Sequence, residues 1–144
     1  MTELQTLRDS YRRQKSDWLA TLSASQASTR SIHKHLQGLA QMVARLLAQL
    51  WQRAALPDSM TLVAVGGFGR GELFPYSDVD VLLLLPQSDS DSDTATAQRP
   101  AIESFISSCW DVGLEIGSSV RTVAECVTEA AHDVTVQTSM LEAR

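Results

Sequence analysis

The sequence predicts an α+β domain, and three observations carry that prediction. Two helical segments fill the first third of the chain. A glycine-rich turn then joins two short apolar runs of strand character, and a third strand-like run follows the next helix.

The first helical segment runs from about Thr2 to Thr21, with Leu4, Leu7, Tyr11 and Trp18 on one side. The second is stronger: Ile32, Leu36, Leu39, Val43, Leu46, Leu47 and Leu50 recur at three and four residues and continue to Trp51. Pro57 and Asp58 end it. His33 and His35 lie at its head with no third ligand at a metal-binding spacing, and are expected on the surface. A division follows, with a helical lead-in over 1–58 and a mixed core over 59–144.

The core begins with Leu62 to Val65, turns through Gly66, Gly67, Gly69 and Gly71, and returns as Val79, Val81 and Leu82 to Leu85. That second run is apolar and β-rich enough to be a strand buried on both faces. It carries Asp78 and Asp80 at its head. Side chains alternate along a strand, so the two acids point the same way, roughly 7 Å apart. Like charges beside an apolar strand repel, and a hard divalent ion with oxygen ligands relieves that repulsion. Glycines without Cβ atoms let backbone amides approach an anion, so a phosphate cradle beside a metal site is the expected arrangement. Two common phosphate motifs fail. Glu72 and Leu73 stand where a Walker loop needs lysine and a hydroxyl, and Glu72 displaces the last glycine of the dinucleotide fingerprint.

Between Pro86 and Pro100 the chain is polar and reads as a mobile loop. Asp89, Asp91 and Asp93 imitate the start of a calcium loop, but its sixth position is Thr94 and its twelfth Pro100, which excludes an EF-hand. A helix is expected from about Ala101 to Asp111, burying Ile102, Phe105, Ile106, Cys109 and Trp110, and Gly113 stops it. Leu114 to Ile116 and Ser119 to Thr122 form one strand or a hairpin. Thr122 and Glu125 make a capping box for a short helix through Ala131, and Asp133 caps the last one, Val134 to Ala143.

Composition fits a globular chain: 44% hydrophobic, 20% charged, net charge -5. Eight of the twelve Lys and Arg precede residue 61, whereas thirteen of the seventeen acids follow residue 60, so the second half is a poor nucleic-acid groove. No run is long enough to cross a bilayer, and the amino terminus lacks a secretory segment, so the expectation is cytoplasmic, with no membrane partner. Cys109 and Cys126 then read as small apolar residues.

The string GGFGRGELFPYSDVD resembles the signature of the nucleotidyltransferase superfamily that includes DNA polymerase beta. More closely, it is similar to the amino-terminal part of the bifunctional uridylyltransferase/uridylyl-removing enzymes acting on the PII nitrogen-signal protein. WDVGLEIGSSVRT, DVTVQTSMLEAR and LWQRAALP extend the likeness over most of the chain. The resemblance implies a polymerase beta-like fold with a small mixed sheet. It also implies Mg2+ (Mn2+ as alternative) on Asp78 and Asp80, UTP as substrate, and a tyrosine hydroxyl of PII as acceptor. Gly66, Gly67, Arg70, Gly71 and Ser77 become the nucleotide-binding set, though Arg70 could instead clamp Asp78 or Glu72, and Ser77 could merely cap the turn. Glu115 stands for the third catalytic carboxylate, completing the metal site or taking the proton, with Asp133 as rival. The family pattern continues beyond Arg144, and no phosphohydrolase or sensing segment is recognisable, so an incomplete carboxyl end is expected. Two other functions remain open: adenylyl transfer to glutamine synthetase, and a non-catalytic nucleotide-binding or regulatory module.

Overall fold

The computed structural model describes residues 1–87 and 91–144 and, for residues 91–94, the backbone alone. In chain order the elements are α1 (Glu3–Ala24), α2 (Thr29–Ala54), β1 (Thr61–Ala64), α3 (Gly66–Gly69) and β2 (Val79–Leu84). They are followed by α4 (Asp91–Asp111), β3 (Ile116–Arg121), α5 (Val123–His132) and α6 (Val134–Met140). The fold is α+β, and its strands form a three-stranded mixed sheet in the order β1-β2-β3. Strand β1 is antiparallel to β2, and β2 is parallel to β3.

Alternation along β2 divides the core. Val79, Val81 and Leu83 face the helices and join Leu39, Val43, Leu47 and Leu50 of α2 with Phe105 and Cys109 of α4 in one cluster. On the opposite face Leu82 meets Val65 and Cys126, while Asp80 and Leu84 are half-buried. The strand expected to be buried on both faces is therefore covered fully on one face only.

Helix α2 follows its apolar stripe because one face is buried along its length, but Ile32 lies in its first turn and is exposed. The helix stops at Ala55, which adopts a left-handed conformation with φ 52° before Leu56 and Pro57. Trp18 of α1 donates its indole N–H to the His35 carbonyl at 2.8 Å, and the two rings meet edge-on at 6.4 Å. His35 is thus half-buried rather than a free surface residue, and His33 pairs with Glu72 at 3.1 Å.

The polar segment ending at Pro100 departs most from expectation. Helix α4 starts at Asp91, so Asp91 and Asp93 stand on a helix and Pro100 lies inside it; Asp89 lies outside the described residues. Proline removes one backbone donor, but its ring faces solvent here, and Ala95, Ala101, Ile102 and Phe105 on the other side hold the helix against the core. Packing outweighs the local breaker. Trp110, expected inside, is 53% exposed; Val112, just past the helix end, is fully buried instead.

Of the strand or hairpin expected after Gly113, the single strand β3 is found. Two further boundaries differ: the glycine turn contains one helical turn, and α6 ends at Met140, three residues early. Beyond it the chain runs back along the sheet, where Ala64 and Arg144 exchange both backbone hydrogen bonds, at 2.8 and 3.1 Å. That reciprocal pair is antiparallel bridging on the outer edge of β1. Beside it lies a groove of about 740 Å³ whose lining includes Leu47, Ala48 and Trp51 of α2 and Leu62 and Ala64 of β1, with Arg45 and Arg144 among its polar members.

Candidate active site

Val65 closes β1 by donating its N–H to the Asp80 carbonyl at 3.1 Å, and the chain then bends at Gly66 with φ 59°. This positive φ is what glycine supplies without strain. Within α3 the amides of Gly69 and Arg70 bond back to Val65 and Gly66, and Glu72 bonds back to Gly67. The first-turn amides of Gly66 and Gly67 have no carbonyl one helical turn behind them, so they are the donors available to an anion. A second positive φ, 81° at Gly71, turns the chain outward, and the Leu73 N–H docks on the Leu36 carbonyl at 3.2 Å. Leu73 is buried and anchors the loop to α2. Phe74 to Ser77 close a turn through the Ser77 N–H, leaving Phe74, Tyr76, Ser77 and Asp78 exposed.

Asp80 sits between two glycines. A Cβ placed on Gly66 would lie 3.3 Å from its Oδ2, and one placed on Gly117 would lie 2.6 Å from its Oδ1. Burial raises the Asp80 pKa first, and the negative charge of Asp78 raises it further. The two acids are close enough to repel, although Asp78, expected on the strand, lies just before β2. Among the described residues no Lys, Arg or His forms an ion pair with either one.

The remaining candidates are spread around this pair. Arg70 is exposed, its guanidinium 3.5 Å from where a Gly67 Cβ would stand; among the described residues it clamps neither Asp78 nor Glu72, whose partner is His33. Ser77 is exposed, and its backbone closes the loop turn. Glu115 precedes β3, its carbonyl accepting the Val79 N–H at 2.9 Å, and its side chain is exposed. Asp133 caps α6 by accepting from the Thr135 N–H and hydroxyl, bonds that lower its pKa. Among the described residues no three His, Cys, Asp or Glu side chains gather as a metal cluster, so neither Glu115 nor Asp133 joins Asp78 and Asp80.

Sequence spacing does not reveal Gly69, Gly117 and Arg144. Gly69 passes against the Glu142 carbonyl, Gly117 against Asp80, and the Arg144 guanidinium lies 3.2 Å from a Cβ placed on Gly71. Each is a contact between segments far apart in the chain.

Among the described residues this bend carries glycine amides, the Arg70 guanidinium without an ion-pair partner, and two acids without one. A nucleotidyltransferase family model, DUF294, matches residues 13–118, well over half of the chain. The chain belongs to this DUF294 family. Among relatives, a bifunctional uridylyltransferase/uridylyl-removing enzyme of Ralstonia nicotianae is 61% identical over 106 residues, 74% of this chain and 12% of that protein. One of Burkholderia pseudomallei is 52% identical over 125 residues, 87% of this chain and 14% of that protein. This DUF294 chain thus spans about one-eighth of the length of these curated relatives. Among the described residues no helix is long and apolar enough to cross a membrane.

Proposed function

We propose that this site transfers a uridylyl group from UTP to a tyrosine hydroxyl of a PII-type protein. The observation that carries the reading is the mutually repelling pair Asp78 and Asp80, without an ion-pair partner among the described residues, set against the Gly66 bend. Two hard carboxylates without a protein cation suit Mg2+ or Mn2+, and the lack of a third among the described residues fits an ion that takes its other ligands from water and phosphate. Asp78 and Asp80 would hold it, and when bound it supplies charge neutralisation on the triphosphate.

The chain's own residues do the rest. First-turn amides of Gly66 and Gly67, with Arg70, hold phosphate oxygens, while the φ of Gly71 turns the loop clear of them. Ser77 adds a hydroxyl at the exposed rim. In the transfer, the acceptor oxygen bonds to the α-phosphorus as the bond to the β-phosphate oxygen breaks. Diphosphate leaves, and the hydroxyl proton passes to a base, a role for which exposed Glu115 is the candidate and Asp133 the rival.

The test is a divalent-metal-dependent assay with labelled UTP and PII. Asp78→Asn and Asp80→Asn each remove a ligand charge, and the expected loss is several orders of magnitude in rate, about 4 kcal/mol or more in the barrier. Unchanged rates would refute the mechanism. A second reading, a nucleotide-binding module without turnover, is favoured by the scattered third carboxylate. Calorimetric binding of UTP with no diphosphate release would support it.

A further inference from the structure

Gly117 stands in the middle of the Asp80 problem without a backbone reason to be glycine. Its φ is outside the positive range that marks Gly66, Gly71 and Gly113, so any residue could adopt its conformation. It lies within β3, where glycine forfeits side-chain packing and weakens a strand. The parallel register pairs Gly117 with Asp80 on the same face of the sheet. A Cβ there would fall 2.6 Å from Asp80 Oδ1 and 3.8 Å from its Cγ, and would meet nothing else within 4 Å.

We infer that Gly117 is a positioning residue whose missing side chain is the slot that fixes the Asp80 carboxylate. The inference deepens the metal-site reading above and rests on it for its functional meaning. The slot has two walls of different kinds. Gly66 closes it from α3, where φ 59° demands glycine anyway, and a Cβ would come within 3.3 Å of Oδ2. Gly117 closes it from β3, where only the carboxylate demands glycine. The backbone of Asp80 is held meanwhile, its carbonyl taken by the Val65 N–H at 3.1 Å. With the backbone fixed, a methyl group at 117 can be accommodated only by turning the Asp80 side chain out of its present orientation. One substitution therefore separates folding from carboxylate placement: the intruding atom strikes one flexible side chain and no backbone.

The experiment compares wild type, Gly117→Ala and Asp80→Asn in the 144-residue chain. Three-bond couplings measured by NMR on the metal-free protein give the χ1 of Asp80, thermal melting gives stability, and titration with Mn2+ alone gives affinity. For Gly117→Ala the expected result is a changed Asp80 χ1, a melting midpoint equal to or above wild type, and at least tenfold weaker Mn2+ binding. Gly117→Ser should turn the carboxylate in the same way. Unchanged Asp80 couplings in both variants would overturn the inference, as would a melting midpoint lowered in both, which would make Gly117 a structural residue. Wild type and Asp80→Asn binding Mn2+ equally would refute the metal-site reading instead, while the couplings still decide the role of Gly117.

Discussion

Replacing Gly69 with alanine should pry the carboxyl-terminal segment away from the glycine turn. A Cβ on Gly69 would collide with the Glu142 carbonyl oxygen, reach 3.0 Å from its carbon and stand 3.1 Å from the Ala64 carbonyl oxygen. All three are backbone atoms, so no rotamer change relieves the overlap. Keeping the segment in place against such crowding costs about 1–3 kcal/mol. Releasing it gives up the two Ala64–Arg144 hydrogen bonds, at about 1 kcal/mol each, and part of the burial of Met140 against Val65 and Leu82, about another 1 kcal/mol. The cheaper route caps the loss at about 3 kcal/mol. Urea unfolding measures the total, and amide exchange at Ala64 reports whether the segment has detached. A Gly69→Ala protein within about 0.5 kcal/mol of wild type, with Ala64 still protected, would refute the reasoning.

Asp80→Asn should stabilise the metal-free protein near neutral pH. Burial and Asp78 raise the folded pKa of Asp80, so the folded state resists ionisation that the unfolded chain accepts. Wild-type stability should therefore fall as pH rises from the ordinary aspartate range through the folded pKa, and the advantage of the variant should vanish on acidification; denaturation at several pH values in chelator checks this. Thr122 is fully buried, accepts the Glu125 N–H at 3.1 Å and receives a Glu125 oxygen on its own N–H at 2.8 Å. Thr122→Ala should cost about 1–2 kcal/mol in urea unfolding. Burial pushes the Cys109 thiol up to about 12, so a thiol reagent at pH 8 should label it only after unfolding.

Local grammar carried much of the fold. The stripe of α2 from Leu36 on, the Thr122–Glu125 capping box and the Asp133 cap depend on residues two to four apart, and each stands where that spacing puts it. Asp80 stands on β2 as expected, whereas Asp78 lies just before the strand and is exposed, so strand alternation does not by itself place the pair. What spacing could not deliver was tertiary. Helix α4 extends past Pro100 because Ala95 finds a place in the core, and Trp110 is left outside because Val112 takes the interior position. The parallel pairing of β3 is a register choice, and with it comes the approach of Gly117 to Asp80 across 37 positions of sequence. Glycines chosen for room rather than for φ carry no local mark.

The outer margin of β1 has a consequence for handling the molecule. Backbone donors and acceptors on alternate residues of a strand point to the same side, so Leu62 addresses the groove as Ala64 addresses Arg144. Main-chain bonding ignores side-chain identity, and the neighbouring trough of leucine, alanine and tryptophan rewards any greasy ribbon that lies down in it. Concentrated stocks of the 144-residue chain should therefore drift toward larger species by sheet-to-sheet adhesion, and a lysine placed at Leu62 should keep them apart.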